Sequence, residues 1–533
     1  MKGRLTTKDF GLVVLSAVLM LMSLPKLDIG ILAWVCFIPW LLALEGKTPK
    51  EAFILSYVAG LVIFAGMTYW IWTVRTFRLI DFVLLAIYFP HYASLWGLGV
   101  TWLRRRTGLS PVVIAPAFWV ALEYIRSHFF FLSAPWMLLG HSQYLHPLLT
   151  QVASLTGVYG LSFVIVVVNV ALWEAFHYGR QRFRLPAHLA PSPQSALASA
   201  GVAGALLIGA NVYGASVLER PPSSDSMTVA LIQANIPKDV QWNAAYRQQV
   251  LRQHAKLTRQ AAQHGPQLIV WPESAVPGDV QHDPDLHRIV SELAVQVQAY
   301  LLVGSSEKGK FVSQELNGKS YNSMFLFSPE GTIIGQYRKI ARVPFAEYEP
   351  LEGVIKWPKW IVSAMGHTVP GEDFTIFTVE GTHFGSVICW ENIFPELFRE
   401  FVKRGARFMV SATNESWFGD TAAPYQLLAM SVFRAAENRV AIARSTNTGI
   451  TAFIDPFGRI TERLRGPEQQ ELFVDGLLLG SVPLSEGLTF YTRYGDVFAF
   501  LQISLCVLML VFACTRHSVP AETRDFYIEP YRM

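Results

Sequence analysis

The chain has 533 residues, of which 52% are hydrophobic and only 16% charged. Soluble proteins carry about 25% charged residues, so the composition excludes a purely soluble protein, and its apolar content also excludes a disordered one. The net charge of +4 is small and no basic stripe occurs, which excludes a typical nucleic-acid partner. Acidic residues are rare before residue 222 and common after it, so we expect two halves in different solvents.

The first half contains apolar stretches close to the 20 or so residues that cross a bilayer. They predict about seven transmembrane helices within residues 1–220, an eighth helix at 495–515 and a short tail at 516–533. The fold class predicted for this half is therefore a multi-span α-helical membrane bundle. The predicted spans lie near residues 10–24, 28–45, 52–74, 80–103, 111–126, 156–179, 195–218 and 495–515.

Loop charges predict the orientation of the bundle, because Lys and Arg accumulate on the cytoplasmic side. Most basic residues of the ends and loops fall on the side of the amino terminus, and the other side holds only Lys26, Arg75, Arg78 and Arg126. Both termini are thus predicted to be cytoplasmic. Seven spans then place the polar half on the opposite face, which in a bacterium is the periplasmic face of the inner membrane.

Three ionisable residues, His91, Glu123 and Glu174, fall within predicted spans and are candidates for a functional role. A structural role in the bundle or at its interface is the simpler explanation for each. No inverted repeat is visible, which disfavours a transporter. The loop from Phe129 to Trp136 predicts an aromatic belt at the membrane interface.

A turn-rich linker at 221–225 precedes a region in which the apolar periodicity changes. Short β-type runs alternate with amphipathic helices over residues 226–490, and one of the runs is a predicted strand at 471–474. This alternation is typical of a layered α/β domain. The domain has one cysteine, Cys389, and neither a CxxC pair nor a cluster of His ligands, so we expect no disulfide framework and no metal.

Three polar residues stand at or close after the ends of predicted strands in this domain: Glu273, Lys339 and Cys389. Strand ends project side chains into a crevice while the sheet holds the backbone. A carboxylate can take the proton of a thiol, the thiolate can attack a carbonyl, and an ammonium can stabilise the oxyanion. The three residues therefore predict acyl-transfer chemistry.

The segments around these residues resemble the nitrilase superfamily in order and rough spacing. With spans before and after the domain, the whole chain resembles the apolipoprotein N-acyltransferase family, and the segments 414–420 and 444–451 strengthen the match. The segments that carry the resemblance are Trp271-Pro272-Glu273-Ser274, Tyr337-Arg338-Lys339, Val343-Pro344-Phe345-Ala346-Glu347-Tyr348 and Ile388-Cys389-Trp390-Glu391.

The resemblance implies an αββα sandwich at 226–490 and a Glu-Lys-Cys triad: Glu273 as general base, Lys339 as oxyanion stabiliser and Cys389 as nucleophile. It implies an acyl donor, the sn-1 chain of a phospholipid such as phosphatidylethanolamine, and an acceptor, the α-amino group of the S-diacylglyceryl cysteine of an apolipoprotein. It implies no cofactor. The supporting or substrate-binding residues are expected to be Glu347, Glu391, Trp242, Trp390, Trp417 and Asn414.

Three local features bear on this interpretation. The family pattern has Tyr where this sequence has Trp390, so no phenolic hydroxyl is available beside the nucleophile. The apolar segment 354–362 is too short to span a membrane, and it is either a packed surface loop or a lid that dips into the interface. Asn414 and Asn447 could equally be turn formers.

Two other functions are compatible with the residues alone. A membrane-tethered amidase or hydrolase would use the same three residues with water as the acceptor. A transporter or scaffold would use the polar half only for binding, and it would tolerate loss of the Cys389 thiol. The protein is expected to be a monomer.

Overall fold

A computed structural model describes residues 5–515, apart from residues 75–76, 78, 182–192, 221–222, 242–243, 310–311, 313–315, 317 and 359–366. Trp242, the tail at 516–533 and residues 359–362 of the apolar segment lie outside the described residues. The expectations for them remain predictions.

The helices of the first half begin where local sequence favours a start. Thr6 and Thr48 accept hydrogen bonds from the backbone N–H groups of Asp9 and Glu51, whose side chains bond back to the threonine N–H groups. The helices described in this half are α1 (Thr7–Met22), α2 (Phe37–Leu44), α3 (Pro49–Met67), α4 (Leu79–Tyr88), α5 (Pro90–Thr107), α6 (Pro111–His128), α7 (Pro147–Thr150), α8 (Ala153–Thr156), α9 (Val158–Gln181) and α10 (Pro193–Leu218).

In the described part of the chain, five helical segments are long and apolar enough to cross a membrane. The predicted count of about eight spans is not confirmed. The apolar stretch at 10–24 forms a helix of only 16 residues, that at 28–45 contains the eight-residue α2, and α6 carries an internal proline, Pro116. The five segments are Pro49–Met67, Leu79–Thr107, Val158–Tyr178, Pro193–Leu218 and Val497–Thr515.

Buried aromatic rings form the centre of the bundle. Phe37 and Trp40 stack with ring centroids 5.6 Å apart, and Trp96 meets Trp40 edge-on at 4.8 Å. Both indole N–H groups have acceptors, the hydroxyl of Ser56 for Trp40 and the carbonyl of Ala115 for Trp96, each at 2.9 Å. These rings therefore bury apolar area without leaving a polar atom unpaired.

The second half contains two sheets. In the first sheet the strand order is β13-β1-β2-β3-β4-β5, with β6 paired to β4, and in the second it is β12-β11-β10-β9-β8-β7. The strands are β1 (Ser226–Gln233), β2 (Leu268–Val270), β3 (Tyr300–Lys308), β4 (Lys319–Phe327), β5 (Ile333–Arg338), β6 (His367–Thr368), β7 (Phe377–Val379), β8 (Thr382–Ile388), β9 (Phe408–Thr413), β10 (Ala441–Thr446), β11 (Ala452–Ile454), β12 (Ile460–Arg463) and β13 (Gly476–Pro483).

Helices cover the outer faces of the two sheets. Successive side chains of β1 point to opposite faces of the first sheet. Ala230 and Ile232 therefore pack with the helices at Arg247–Ala262 and Pro284–Val297, whereas Val229 and Leu231 belong to the core shared with the second sheet. Helices α14 and α15 contact the second sheet. The helices of this half are α11 (Lys238–Gln241), α12 (Arg247–Ala262), α13 (Pro284–Val297), α14 (Pro395–Lys403), α15 (Ala423–Asn438) and α16 (Phe490–Tyr494), followed by α17 (Val497–Thr515).

The predicted strand at 471–474 is wrong. Phe473 has φ 57°, a left-handed conformation that interrupts an extended run. A strand, β13, begins instead at Gly476, three residues after Phe473. It pairs antiparallel with β1, from Gly476 opposite Gln233 to Pro483 opposite Ser226.

Helix α15 lies between the second sheet and the bundle. Its Gln426 side chain accepts hydrogen bonds from the indoles of Trp70 at 3.1 Å and Trp136 at 2.8 Å. At its other end, the carboxylate of Glu437 accepts from the backbone N–H of Val158, at the start of α9. Through these contacts the bundle is joined to the sheet whose strand β8 is directly followed by Cys389.

Candidate active site

Glu273, Lys339 and Cys389 lie together where three strands end. Lys339 follows β5 directly, Cys389 follows β8 directly, and Glu273 stands three residues after β2. Because β2 and β5 belong to one sheet and β8 to the other, the crevice lies between the ends of the two sheets. The chain must turn sharply here, and Cys389 has φ 52°.

Glu273 is held by two donors. Its Oε1 accepts the side-chain amide of Asn322 at 2.7 Å, and its Oε2 accepts the backbone N–H of Asn414 at 2.9 Å. Gly304 allows the close approach of this segment, because a Cβ at this position would lie 2.3 Å from the carbonyl oxygen of Pro272. Burial raises the pKa of Glu273, the nearby Lys339 opposes that rise, and Glu347 adds to it. The carboxylate is thus a stronger base than an exposed glutamate.

Lys339 is buried, with 1% of its surface exposed. Its Nζ lies 2.7 Å from Oε1 of Glu347 and 3.8 Å from Oε1 of Glu273. The other oxygen of Glu347 accepts the backbone N–H of Val343 at 2.8 Å, which fixes the carboxylate. Burial acts to lower the pKa of Lys339, but the two carboxylates outweigh it and raise that pKa. The side chain is therefore a permanent cation.

Burial raises the pKa of the Cys389 thiol, and the Glu273 carboxylate raises it further, while Lys339 acts to lower it. The resting group is consequently a thiol, beside a base that can accept its proton and a cation that can stabilise the thiolate. This is the arrangement that nucleophilic attack on an ester or amide carbonyl requires.

Glu391 joins the two segments that carry Lys339 and Cys389. Its carboxylate accepts backbone N–H groups from Ile340 at 2.7 Å, Ala341 at 2.9 Å and Ile388 at 2.8 Å. The hydroxyl of Tyr337 donates to the same carboxylate at 2.9 Å. Burial nevertheless raises the pKa of Glu391 to about 7, against the donors that favour its charge.

The crevice opens into a cavity of about 370 Å³ that both halves of the chain line. The first half contributes mainly aromatic and aliphatic side chains, and the second contributes the polar groups. Among its lining residues are Phe64, Trp70, Phe89, Arg126, Trp136, Glu273, Asn322, Glu347, Cys389, Trp390, Asn414 and Trp417.

Two of the predicted supporting tryptophans line this cavity. Trp390 stacks on Trp136 of the bundle, with centroids 5.8 Å apart and planes at 22°. Trp417 lies under the ammonium of Lys238, 4.1 Å from the ring centroid. The described part of the apolar segment 354–362 adjoins the cavity, since Trp357 contacts the rings of Phe131 and Phe345.

Other candidates lie elsewhere or have structural partners. The side chain of His91 is exposed and contacts the ring of Tyr57, and Glu174 accepts from Ser195. The side-chain amide of Asn447 accepts the backbone N–H of Ile236 with its oxygen and donates to the carbonyl of Ile236 with its nitrogen. Among the described residues no group of three or more His, Cys, Asp or Glu side chains is placed to hold a metal ion.

Several residues of the cavity were not expected from the sequence. The sequence predicts Trp136 in an interfacial belt, but it is buried against Trp390. The sequence predicts Arg126 in a loop, but this residue lies within α6 and is 6% exposed. Asn322 lies within β4, and nothing in the sequence around it indicates that its side chain donates to Glu273. The run of aromatic residues from Phe129 to Trp136 was the available hint of an apolar binding surface.

Two family models match this chain, one in each half. Residues 16–171 match the apolipoprotein N-acyltransferase N-terminal domain, and residues 228–484 match the carbon-nitrogen hydrolase family. An amidase of the nitrilase superfamily from Nesterenkonia, of known structure, aligns with 54% of this chain and 98% of its own at 18% identity and a TM-score of 0.38.

Full-length relatives give the stronger comparison. An apolipoprotein N-acyltransferase of Geobacter metallireducens is 37% identical over 520 residues, which are 96% of this chain and 96% of the relative. One from Chlorobaculum tepidum is 27% identical over 545 residues, 96% of this chain and 98% of its own. The resemblance to the apolipoprotein N-acyltransferase family inferred from the sequence is confirmed: the chain belongs to this family, and residues 228–484 form a carbon-nitrogen hydrolase domain.

Proposed function

We propose that this chain transfers the sn-1 acyl chain of a membrane phospholipid, such as phosphatidylethanolamine, to apolipoproteins. The acceptor is the α-amino group of an amino-terminal S-diacylglyceryl cysteine. The observation that carries the proposal is the shared cavity, in which the side chains of Glu273 and Cys389 face an apolar wall supplied by the bundle. The names of the full-length relatives support the acceptor.

In the first half-reaction Glu273 takes the proton of the Cys389 thiol as the sulfur attacks the ester carbonyl. Lys339 stabilises the oxyanion of the tetrahedral intermediate. The C–O bond of the ester then breaks, Glu273 returns the proton to the leaving oxygen, and a lysophospholipid departs. The acyl chain is left as a thioester on Cys389.

In the second half-reaction the amine of the acceptor attacks the thioester carbonyl. Glu273 takes a proton from the amine and passes it to the departing thiolate, which regenerates the thiol as the amide forms. Glu347 orients Lys339, and Glu391 holds the segments on which Lys339 and Cys389 stand. Asn414, Trp242, Trp390 and Trp417 shape the site around the acyl chain, and the segment 354–362 acts as its lid.

We further propose the membrane arrangement that this chemistry needs. Residues 1–220 supply about seven spans and residues 495–515 an eighth, which hold the catalytic domain at 226–490 on the periplasmic face of the inner membrane. The tail at 516–533 and the amino terminus are cytoplasmic, and the protein acts as a monomer. Apolar side chains exposed on α10 and α17 support contact with lipid, among them Leu197, Ile208, Leu501 and Leu508.

Mass spectrometry of the purified protein tests the proposal. After incubation with a phospholipid of defined chains, we expect an acyl adduct on the peptide containing Cys389. A diacylglyceryl-cysteine peptide should remove the adduct and carry the acyl group on its amine. Cys389→Ser should abolish transfer, whereas Cys514→Ser, at an exposed cysteine of α17, should leave it intact.

The remaining outcomes separate the other functions. An adduct that decays equally fast without the peptide would identify a hydrolase with water as its acceptor. Folded protein that forms no adduct with any phospholipid would overturn the proposal in favour of a binding or transport role.

A further inference from the structure

Arg126 is a buried cation that the triad does not use. It lies in the last turn of α6, 6% exposed, and lines the same cavity as Cys389. Within the described residues its guanidinium has no hydrogen bond and no carboxylate within 4 Å. Among the described rings, it contacts that of Phe64, whose centroid lies 5.4 Å away.

The nearest acidic side chain does not neutralise this charge by contact. Glu123, one turn earlier in α6, uses its Oε1 to accept the backbone N–H of Leu139 at 2.7 Å. The other oxygen of Glu123 has no partner in the described part of the chain. A buried guanidinium without a hydrogen-bonded acceptor is costly. Because Arg126 lines the cavity that holds Cys389, we look for the missing acceptor in a ligand of that cavity.

The surroundings of Arg126 restrict the class of ligand. Aromatic side chains such as Phe64 and Phe89 line the cavity beside it, and the Cys389 nucleophile lies in the same space. A ligand that fits the guanidinium, the Cys389 nucleophile and the aromatic lining has an anionic group, an acyl ester and long apolar chains. Guanidinium groups bind phosphate oxygens in a planar, paired geometry.

We infer that Arg126 binds the phosphate of the phospholipid acyl donor and thereby aligns the ester with Cys389. The inference rests on the proposed function and deepens it. In a glycerophospholipid the phosphate and the sn-1 ester are joined by the glycerol unit, so fixing one restricts the other. Since the phosphate is common to all glycerophospholipids, Arg126 selects them against neutral diacylglycerols and does not choose among headgroups.

The rate of thioester formation on Cys389 tests this selection. Phosphatidylethanolamine and a diacylglycerol with the same acyl chains serve as donors. For Arg126→Gln we expect kcat/KM with the phospholipid to fall about 30-fold or more, chiefly through KM. The rate with diacylglycerol should stay within about twofold of the wild-type rate. Arg126→Lys, which keeps the charge without the planar fork, should be intermediate.

Arg105→Gln is the matched control, because Arg105 is an exposed arginine in the last turn of α5 that donates to the carbonyl of Gly46. It should behave as the wild type with both donors. An equal fall for both donors in Arg126→Gln or Arg126→Lys, in protein with a normal thermal transition, would show a purely structural role and overturn the inference.

A binding measurement keeps this inference distinct from the proposed function. Native mass spectrometry can count phospholipid bound to Cys389→Ala protein, which cannot form a thioester. Loss of binding on adding Arg126→Gln supports the phosphate contact even if no acyl transfer is found, and unchanged binding overturns it. Inorganic phosphate alone should give no Arg126-dependent thermal shift, and such a shift would contradict a lipid source for the phosphate.

Discussion

The ammonium of Lys339 lies 2.7 Å from a carboxylate oxygen of Glu347. The same ammonium lies 3.8 Å from Oε1 of Glu273, so one buried cation interacts with two carboxylates. Glu347 keeps Lys339 charged, but it is also a negative charge that raises the pKa of Glu273. The pH dependence of the reaction should therefore respond to Glu347.

Glu347→Gln should shift the acidic limb of the rate of thioester formation to lower pH. Glu273 acts as a base only when it is unprotonated, so the rate falls as the pH drops through its pKa, and removing a neighbouring negative charge lowers that pKa. We also expect the plateau rate to fall about tenfold, since Lys339 loses its orienting partner. The measurement is a pH–rate profile of adduct formation.

Glu352→Gln, at an exposed position of the following segment, is the control for that profile and should not move the limb. An acidic limb that stays in place or moves to higher pH in Glu347→Gln would exclude Glu273 as the base.

Glu391→Gln should slow the reaction and destabilise the protein. The amide places an N–H₂ group where the carboxylate accepts backbone N–H groups of Ile340, Ala341 and Ile388. A donor left without its acceptor costs about 1–3 kcal/mol of the free energy of unfolding. Because the displaced segments carry Lys339 and Cys389, kcat should fall more than KM changes. Tyr337→Phe, which removes one donor, should have a smaller effect.

Glu391 also predicts how stability depends on pH. Its pKa is raised by burial to about 7 from an ordinary value of 4.5, so the folded protein holds this proton more tightly than the unfolded chain. The free energy of unfolding should therefore fall as the pH rises from 4.5 towards 7. The free energy of unfolding, measured by thermal unfolding across this pH range, should fall more steeply for the wild type than for Glu391→Gln. Equal slopes would contradict the raised pKa.

Gln426→Leu should loosen the wall of the cavity. The substitution leaves the buried indole N–H groups of Trp70 and Trp136 without their acceptor, which should lower the free energy of unfolding by about 3 kcal/mol. Trp136 then loses its alignment with Trp390, so KM for the phospholipid should rise. Thermal unfolding and donor titrations measure the two effects.

Two further variants are controls for the Gln426→Leu result. Gln426→Glu keeps the acceptor and should retain more of the stability. Gln248→Leu, on an exposed face of α12, should change neither quantity. A Gln426→Leu protein with wild-type stability would show that the two indoles find other acceptors.

Arg444→Met should be the most destabilising of these changes. Arg444 pairs with Glu415, both side chains being fully buried, and it also donates to the carbonyl of Ile450 at 3.2 Å. Removing it leaves a buried carboxylate unpaired, at a cost of about 3–5 kcal/mol. The double variant Arg444→Met/Glu415→Gln should recover part of the loss in thermal unfolding. If the double variant is no better than the single one, the pair is not the cause.

Local sequence predicted the parts of the site that depend on strand ends. Glu273, Lys339 and Cys389 stand at or close after the ends of predicted strands, and strand ends can meet at a common edge when the strands lie in packed sheets. The same reasoning failed at Phe473, because an apolar run says nothing about a left-handed residue within it.

Contacts between distant residues could not be predicted in this way. Gln426 meets Trp70 and Trp136 across more than 280 positions, and neither helical period nor hydropathy encodes that meeting. The number of membrane spans is hard to predict from the sequence for a related reason. Apolar composition marks a stretch such as 28–45, but the helix within it has only eight residues, since turns within the bundle interrupt it.

The cavity takes its reactive groups from one half of the chain and its apolar wall from the other. Neither half encloses it alone. Until the bundle is assembled and α15 has docked against it, the Cys389 thiol faces water and no acyl chain can be held beside it. The reactive centre is therefore complete only when the two halves are packed together. We expect a chain that lacks its first half to retain Glu273, Lys339 and Cys389 but to lose the apolar side chains that the bundle places beside them.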